Sequence, residues 1–336
     1  MDKIRFAIIG YGHIGKRHAA MIEQNPDCLL TAVIDVNEEE KYGVPQTVAF
    51  HKSFDSFITS GTTADIVTIA TPNGLHAIQA KQALLAGHHV VIEKPMGLHT
   101  TECKDLITVA SEVGRYLFCV MQNRYSPPSE WLKQLVTNEI LGDIYIVQVN
   151  CYWNRDERYY KPGSWHGTKH LDGGTLFTQF SHFIDLLYWV FGDIDDINAN
   201  FSSFNHKGLT DFEDSGVVNF RFVNGGIGCI NYSTSVWDKN MESSMTIIGS
   251  NGTVKIGGQY MDKVEYCHIQ NYEMPVLKPT NPPNEYGLYK GSAANHHYVI
   301  QNVVDVIHGN ASITTTAYEG MKVVDIIERI YAQKNL

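Results

Sequence analysis

Two residues of this 336-residue chain, Lys94 and His182, have a type and a setting that suit charge stabilisation or proton transfer. Lys94 follows a short apolar run that predicts a buried strand, and it precedes Pro95, which restricts the backbone around it. Four polar side chains of a predicted helix recur at spacings of three and four: Thr178, Gln179, His182 and Asp185. A positioned ammonium can stabilise a developing negative charge, and an imidazole can exchange a proton near neutral pH. Such a stripe can equally be an internal hydrogen-bond network, and the residues alone leave both interpretations open.

A second chemical signal is a glycine loop near the N-terminus, Gly10-Tyr11-Gly12-His13-Ile14-Gly15. A tight turn, a close approach of the backbone to a pyrophosphate and close helix packing each need a residue without Cβ, and the three glycines supply them in that order. The loop follows an apolar run and opens a predicted helix, whose N-terminus can face the phosphates. Asp35 ends the next predicted strand about 20 residues beyond Gly15, where it can bind both ribose hydroxyls and repel a 2′-phosphate. The pattern predicts a Rossmann unit that binds NAD rather than NADP.

The elements that position these residues alternate short apolar runs with helical patterns over the first third of the chain. Strands are predicted at Ile4 to Ile9, Leu29 to Ile34, Ile66 to Ala70, His89 to Ile92 and Leu117 to Met121. Helices are predicted at His18 to Gln24, Gly74 to Ala86 and Thr101 to Val113. This rhythm predicts a doubly wound α/β domain with a parallel sheet, and the strand ends carry Thr71-Pro72-Asn73 and Glu93-Lys94-Pro95.

After about residue 123 the pattern changes to alternating strand-like segments, which predict a mostly antiparallel open sheet of the α+β class with helices on one face. The predicted strands are Ile144 to Tyr152, Ile197 to Phe204, Asp214 to Phe222, Gly226 to Ser233, Ser243 to Ile248, Gly252 to Ile256 and Val264 to Ile269. Helices are predicted after Pro127-Pro128, from Leu171 to Phe191, and near Tyr298 to Ile307 and Tyr318 to Tyr331. We therefore predict an NAD-binding Rossmann domain over residues 1–122 and a substrate-binding and oligomerisation domain over residues 123–336, with the last helix able to pack back on the first domain.

The composition and charge of the chain limit the classes of partner that it can bind. The chain has 43% hydrophobic and 18% charged residues, which is typical of globular proteins, and its net charge of −10 would repel nucleic acid and anionic membranes. The six cysteines form no CxxC or CxxH pair, so neither a disulfide framework nor a metal site is predicted. With no apolar run of about 18 residues and no room for a signal peptide, we expect a cytoplasmic protein that acts on a small molecule and contacts neither nucleic acid nor membrane.

The glycine loop, Asp35, Thr71-Pro72-Asn73 and Glu93-Lys94-Pro95 together resemble the glucose-fructose oxidoreductase/inositol dehydrogenase (Gfo/Idh/MocA) family over nearly the whole chain. Gly173-Gly174 followed by His182 matches the family's second motif. The resemblance implies that Lys94 and His182 are catalytic, with His182 as general acid/base, and that a cis bond precedes Pro95. It also implies dimers or tetramers that form through the second-domain sheet. Many members carry an Asp where this sequence has Thr178.

The cofactor residues expected from the loop and from this resemblance comprise the glycine loop, the strand-end motifs and three further residues: Gly10, Tyr11, Gly12, His13, Ile14, Gly15, Asp35, Thr71, Pro72, Asn73, His76, Glu93, Lys94 and Gln122.

The segment from Arg155 to Lys169 is rich in cations and aromatic rings in an otherwise acidic protein. Cations there suit a phosphorylated or carboxylated substrate, and rings can stack on a sugar or base, although the segment can also be a flexible basic loop. Its motifs resemble the WlbA-like branch of the family, which oxidises UDP-N-acetyl-glucosaminuronic acid at its 3-hydroxyl. The substrate residues expected are Lys94, Asn123, Arg124, Arg155, Arg158, Tyr159, Tyr160, Trp165, His166, Thr168, Thr178, Gln179 and His182.

We therefore expect an NAD-dependent dehydrogenase of a nucleotide sugar, in which a base takes the hydroxyl proton while hydride leaves the carbon. Two alternatives stay open on the sequence alone. One is a dehydrogenase of a free sugar or a cyclitol such as inositol, and the other is an NAD-binding sensor without turnover.

Overall fold

The computed structural model describes residues 2–37, 43–286 and 289–335, and the chain divides into two units. The first unit contains residues 1–121 and 296–324, and the second contains residues 122–295 and 325–336. The sequence predicts a boundary after residue 122, with the last helix able to pack back on the first domain. In the structure, residues 296–324 group with the first unit.

The first unit is built on a six-stranded parallel sheet in the order β3-β2-β1-β4-β5-β6. Its strands are β1 (Ile4–Ile9), β2 (Cys28–Ile34), β3 (Ala49–His51), β4 (Ile66–Ile69), β5 (His89–Ile92) and β6 (Leu117–Cys119). Its helices are α1 (His13–Gln24), α2 (Phe54–Thr59), α3 (His76–Leu85), preceded by a 3₁₀ turn (Asn73–Leu75), and α4 (Thr100–Glu112). The strand order reverses between β1 and β4, which is the switch point at which such sheets bind ligands.

Residues 296–324 join this unit through helix α7 (His296–Ile307) and the start of α8 (Ala317–Ala332). The Asn25 amide on α1 donates to the Gln301 amide oxygen on α7 at 3.1 Å. The Cys119 backbone N–H donates to the Thr315 carbonyl at 3.3 Å, and Phe118 forms a backbone bridge with Thr316. These bonds extend the edge at β6, which explains why a segment so late in the sequence belongs to the first unit.

The second unit contains a seven-stranded sheet in the order β13-β12-β11-β7-β10-β9-β8. Its strands are β7 (Ile144–Tyr152), β8 (Ile194–Ser202), β9 (Ser215–Phe222), β10 (Ile227–Ser233), β11 (Glu242–Gly249), β12 (Gly252–Gly257) and β13 (Lys263–Ile269). β7 and β10 pair in parallel and the other neighbours are antiparallel. The unit also holds a 3₁₀ turn (Gln122–Tyr125), helix α5 (Pro127–Thr137), a hairpin of β14 (Pro283–Tyr286) and β15 (Tyr289–Ala293), and a last 3₁₀ turn (Gln333–Asn335).

One face of this sheet is covered by aromatic side chains around helix α6 (Ser181–Phe191). The Trp153 ring packs edge-on against Phe180 and Phe183 at 5.4 and 5.8 Å between centroids, and Phe180 also contacts Tyr232 at 5.7 Å. The predicted fold class, a doubly wound parallel sheet followed by a mostly antiparallel open sheet with helices on one face, is confirmed.

The predicted helix from Leu171 to Phe191 is wrong in its first half. The chain forms a π-helical turn at Leu176–Phe180 and becomes α-helical only at Ser181. A π turn closes over five residues rather than four, so the spacing argument for one polar stripe holds only from residue 181 onward. The short elements β3, α2 and the β14–β15 hairpin were not predicted.

Candidate active site

The three loop glycines have three different steric surroundings in the first unit. Gly10 has a φ of +88°, and a Cβ there would lie 2.7 Å from the Ala70 carbonyl oxygen. A Cβ at Gly15 would lie 1.9 Å from the Gly10 carbonyl oxygen, so only glycine lets α1 start this close to the turn. At Gly12, by contrast, no heavy atom of the described chain lies within 4 Å of a Cβ position. The open side of Gly12, at the N-terminus of α1, is where a pyrophosphate fits.

Asp35 lies directly beside this loop. Its Oδ2 accepts the Tyr11 backbone N–H at 2.7 Å, and its Oδ1 accepts the backbone and side-chain N–H groups of Asn37 at 2.9 Å each. These bonds hold the carboxylate at the end of β2. A carboxylate at this position binds the ribose hydroxyls of NAD and disfavours the 2′-phosphate of NADP.

The turns after β4 and β5 are joined by a buried histidine. His76, at the start of α3, lies between the Thr71 carbonyl, 2.8 Å from Nε2, and the Pro95 carbonyl, 2.8 Å from Nδ1. The Thr71 hydroxyl also donates to the Gln79 amide oxygen at 2.6 Å. The Lys94–Pro95 peptide bond is cis, as the resemblance implied. His76 was expected to bind cofactor, and its contacts in the structure are to these two backbone turns.

In the second unit, His182 is the second residue of α6 and follows directly on the π turn. Its side chain is buried. π turns within helices occur frequently at functional sites. Two polar residues near this turn have different partners. The Gln179 side chain bonds with Arg155 and Tyr159, whereas the Asp185 carboxylate binds Arg124.

Thr178 stands where the family resemblance leads us to expect an acidic residue, and its hydroxyl is bonded to the carboxylate of Asp172. Its hydroxyl donates to Oδ1 of Asp172 and to the Asp172 carbonyl, and Oδ2 of Asp172 accepts the Gly167 backbone N–H at 2.7 Å. Asp172 is 1% exposed. The sequence analysis missed the carboxylate of Asp172. Its position just before Gly173-Gly174 was the available signal.

Arg155 is the most deeply buried cation of its segment, at 4% exposure. Its Nε donates to the Gln179 amide oxygen at 2.9 Å, and its Nη1 donates to the Asn154 carbonyl at 2.6 Å and to the Asn240 amide oxygen at 3.1 Å. Three rings surround the guanidinium carbon at 4.9 to 5.2 Å from their centroids: Trp153, Tyr159 and Tyr289. Arginine on aromatic faces is weakly hydrated and suits binding of a carboxylate or phosphate.

Two other predicted substrate cations are paired with carboxylates. Arg124 is buried and makes a two-pronged salt bridge to Asp185, with Nη2–Oδ1 at 2.6 Å and Nε–Oδ2 at 2.9 Å. Arg158 binds Asp156 in the same way and is half-exposed. The hydrogen bond from Arg158 lowers the pKa of Asp156 to about 2, although burial opposes the change. The structure thus brings Arg155 together with Tyr159 and Gln179 and holds Arg124 in a separate salt bridge.

His166 lies against the same rings, with its centroid 4.5 Å from Tyr159 and 3.9 Å from Trp165. Burial, and secondly the charge of Arg155, lower the pKa of His166 to about 4, so its imidazole is neutral at physiological pH. The Thr168 hydroxyl donates to the Trp165 carbonyl at 2.7 Å, which shapes the local turn. Tyr160 is buried against His206 and Phe212 and contributes to the core.

Gln122 and Asn123 lie in the second unit and are buried. The Gln122 amide oxygen accepts the Asn295 backbone N–H at 2.9 Å, and the Asn123 amide donates to the Ser292 hydroxyl at 3.3 Å. Within the described part of the chain, the Asn123 amide oxygen is buried and has no hydrogen-bond partner. Such an acceptor is costly to bury and suits a ligand donor.

A Rossmann unit with this glycine loop, a carboxylate at the end of β2 and a lysine turn (Glu93-Lys94-Pro95) after β5, followed by an open mixed sheet, defines a dinucleotide-binding oxidoreductase. The chain belongs to the Gfo/Idh/MocA family. The family model described as an oxidoreductase family with an NAD-binding Rossmann fold matches residues 4–120, and the model of the Gfo/Idh/MocA C-terminal domain matches residues 130–255.

The solved structures similar to this chain include two WlbA dehydrogenases, each in complex with NADH and UDP-GlcNAcA. The one from Bordetella pertussis is 30% identical, has a TM-score of 0.85, and aligns with 99% of this chain and 97% of its own. The one from Chromobacterium violaceum is 28% identical, has a TM-score of 0.87, and aligns with 100% and 94%. The D-glucoside 3-dehydrogenase of Escherichia coli is 27% identical over 244 residues, which are 67% of this chain and 68% of the relative.

The described chain, residues 2–37, 43–286 and 289–335, contains no helix that is both long and apolar enough to span a membrane.

Proposed function

We propose that the chain is an NAD-dependent dehydrogenase that oxidises the 3-hydroxyl of UDP-N-acetyl-glucosaminuronic acid or of a related nucleotide sugar. The observation that carries the proposal is Arg155, a buried guanidinium surrounded by three aromatic rings. A guanidinium held against aromatic faces is weakly hydrated, and its planar donors suit a carboxylate or a phosphate. The similarity to two dehydrogenases that bind UDP-GlcNAcA supports the same substrate class.

The chemistry assigned to the chain's own residues is proton removal and charge stabilisation. His182 takes the proton of the hydroxyl, and the ammonium of Lys94 stabilises the alkoxide that forms. The glycine loop and Asp35 would hold NAD, which would supply the acceptor for the hydride that leaves the carbon.

The anionic groups of the substrate are assigned to Arg155, with Tyr159 and Trp165 as surfaces for the sugar. The neutral His166 beside these rings can donate or accept a hydrogen bond without repelling a cation or attracting a second anion. Asn123, whose amide oxygen is a buried acceptor, is assigned to a substrate hydroxyl or N–H.

Asp172 is assigned the role that an acid at position 178 has in many family members. Its carboxylate is bonded to the Thr178 hydroxyl, so a buried negative charge lies one hydrogen bond from that position. A carboxylate favours the protonated form of an imidazole close to it, and this is how Asp172 would support a general base.

The test is turnover by the purified protein. Incubation with NAD and UDP-N-acetyl-glucosaminuronic acid should form NADH, or should exchange substrate for the 3-keto product when the cofactor is tightly held. If nucleotide is bound and neither product forms, the substrate assignment is wrong.

A free sugar or glycoside is the second candidate, and the similarity to D-glucoside 3-dehydrogenase favours it. It predicts turnover of underivatised sugars or polyols and no thermal shift with UDP-sugars. An NAD-binding sensor without turnover would keep its function in Lys94→Ala and His182→Ala.

We also propose that the protein is a homodimer or homotetramer that forms through the face of the second sheet opposite α6. Ile146, Val217, Ile227 and Ile248 are exposed, with Ile146 paired to Ile227 and Ile248 across the strands. Light scattering should give a dimer or tetramer, and Ile227→Glu should shift it toward the monomer. The control is Val223→Glu, an exposed residue beyond the end of β9. A wild-type monomer would contradict this proposal.

A further inference from the structure

The buried carboxylate of Glu93, just after β5, is bonded to two other segments of the first unit and to the backbone of its own turn. Oε1 of Glu93 is 2.8 Å from Nε2 of His18 on α1 and 3.4 Å from Nε2 of His296 at the start of α7. Oε2 of Glu93 accepts the Lys94 backbone N–H at 3.1 Å. We call His18, Glu93 and His296 the Glu93 cluster. All three side chains are at least nine-tenths buried.

The charges within the Glu93 cluster follow from its hydrogen bonds. Burial alone would raise the pKa of Glu93, but the bonds from His18 and His296 bring it well below its ordinary value. Burial lowers the pKa of His296. Among the described residues, Nδ1 of His18 and Nδ1 of His296 have no hydrogen-bond partner. A buried N–H without an acceptor is costly, so the geometry favours a proton on Nε2 of each ring, directed at the carboxylate.

The same contacts distinguish hydrogen bonding from metal binding. The two imidazoles and the carboxylate offer ligand atoms within 4.8 Å of one another, which a metal ion could bridge. Metal-binding histidines almost always donate their second ring N–H to an oxygen, and in the described chain neither Nδ1 here has such a partner. The geometry therefore favours two hydrogen-bond donors to one anion.

The other side of the lysine turn is held by His76. Its ring lies between the Pro95 and Thr71 carbonyls, so the turn has a buried histidine contact immediately before and immediately after Lys94. Backbone on both sides of the lysine is thus tied to α1, α3 and α7.

We propose that His18 and His296 are positioning residues that fix the lysine turn through the Glu93 carboxylate, and so hold the Lys94 ammonium where it can stabilise the reacting oxygen. The effect on catalysis rests on the function proposed above, whereas the effect on the turn does not. Loss of either donor leaves a buried carboxylate under-bonded, and the turn then rearranges to satisfy it. A displacement of about 1 Å can cost about 100-fold in rate, so a small rearrangement is enough.

The experiment compares two replacements at each histidine in the NAD-bound protein. His18→Gln and His296→Gln keep an N–H donor close to the position of Nε2, whereas His18→Leu and His296→Leu remove it. The matched control is His88→Leu, since His88 is another partly buried histidine of the same unit, bonded to the Ala64 carbonyl and packed against Phe54 and Phe57, away from the lysine turn.

The first readout is hydrogen exchange of the Lys94 amide, which needs no substrate. We expect about tenfold faster exchange in the leucine variants, near wild-type exchange in the glutamine variants and in His88→Leu, and unchanged exchange at Val67 and Val90 in all of them. Equal protection of Lys94 in the leucine variants and the wild type would overturn the proposal. Faster exchange at Val67 and Val90 as well would mean that the cluster stabilises the whole unit and does not act on the turn, which also overturns it.

The second readout is the single-turnover rate of hydride transfer. We expect a drop of about 30-fold in the leucine variants with KM changed less than threefold, and recovery by glutamine. Leucine variants that lose protection at Lys94 but keep the wild-type rate would contradict the positioning role and leave the proposed activity intact. If the wild type turns over no sugar substrate, the proposed function fails and the exchange result still decides the effect on the turn.

Elemental analysis of the purified protein covers the remaining interpretation. We expect less than a tenth of an equivalent of zinc, iron, manganese or copper. A stoichiometric metal that is lost in His18→Leu would make the Glu93 cluster a metal site and overturn the proposal.

Discussion

The lysine turn of the first unit and the Arg155 segment of the second are both crowded with polar side chains, but they are fixed in different ways. The lysine turn is held mainly through its backbone, because the Lys94 N–H and the Pro95 carbonyl are both bonded to buried side chains. The Arg155 segment is held mainly through side chains, with Gln179, Asn240 and three rings around one guanidinium. A site fixed through its backbone keeps its geometry when substrates change. A site built from side chains on loops can be altered to accept another substrate.

Because of this contrast, we expect changes at the two regions to affect different kinetic parameters, kcat at one and KM at the other. Changes at the lysine turn should lower kcat for every substrate, because they affect the chemical step. Changes in the Arg155 segment should raise KM and change substrate preference. Variants of the lysine turn that change only KM, or variants of the Arg155 segment that change only kcat, would contradict this expectation.

The largest effect is expected for Lys94→Met, which removes the ammonium and keeps the length of the side chain. Loss of the charge that stabilises the alkoxide should lower kcat by about 1000-fold. Steady-state kinetics measure this change, and NADH fluorescence should give a cofactor Kd within about threefold of wild type. Lys81→Met, at an exposed lysine paired with Asp105, is the control and should keep full activity. More than a tenth of the wild-type kcat in Lys94→Met would remove this lysine from the chemistry.

The next effect is expected for Arg155→Met, in which an apolar side chain replaces the guanidinium among the rings. KM for a carboxylated nucleotide sugar should rise by about 50-fold, because a charge-assisted bond is lost, while kcat changes less than fivefold. Arg158→Met is the matched control and should raise KM by only about threefold, since Asp156 already neutralises that half-exposed cation. Equal effects of the two variants would contradict the assignment of the substrate anion to Arg155. Thermal melting checks that each variant is folded.

A smaller effect is expected for Asp35→Ser at the glycine loop. Loss of the carboxylate should raise the Kd of NAD by about tenfold, which corresponds to about 1.4 kcal/mol, and should reduce the preference over NADP. Isothermal titration with both dinucleotides measures the change, and Asp27→Ser, an exposed residue before β2, is the control. An unchanged NAD to NADP ratio would show that Asp35 does not set cofactor choice.

The same contrast explains what the sequence could predict. Gly10, Gly15 and Asp35 obey steric and spacing rules that act over about 20 residues, so their surroundings follow from the local pattern. Tyr289 and Asn240 reach Arg155 from remote segments, and His296 reaches Glu93 from a segment that rejoins the first unit. No local pattern carries that information. The π turn before His182 was missed for another reason, since its apolar residues fit an α-helix equally well.

The smallest effect concerns the stability of the Arg155 segment at low pH. The hydrogen bond from Arg158 lowers the pKa of Asp156 to about 2, and the Tyr289 hydroxyl also donates to this carboxylate, at 3.1 Å. A carboxyl group with a lowered folded-state pKa contributes stability that is fully present above its unfolded pKa, near 4, and is lost as the pH falls through about 2. Because the pair is substantially exposed to solvent, this contribution should be below about 1 kcal/mol.

Chemical denaturation between pH 4 and pH 2 measures this contribution. Asp156→Asn should lose less unfolding free energy than the wild type over that interval, because it lacks the titrating carboxyl group. The β14–β15 hairpin carries Tyr289 to this carboxylate, so the variant should also loosen the ring beside Arg155 and raise KM slightly at neutral pH. Equal losses of stability in both proteins would mean that the segment is held by its rings and amides alone. The geometry of the Arg155 segment would then not depend on charge, whereas the geometry of the lysine turn depends on the Glu93 carboxylate.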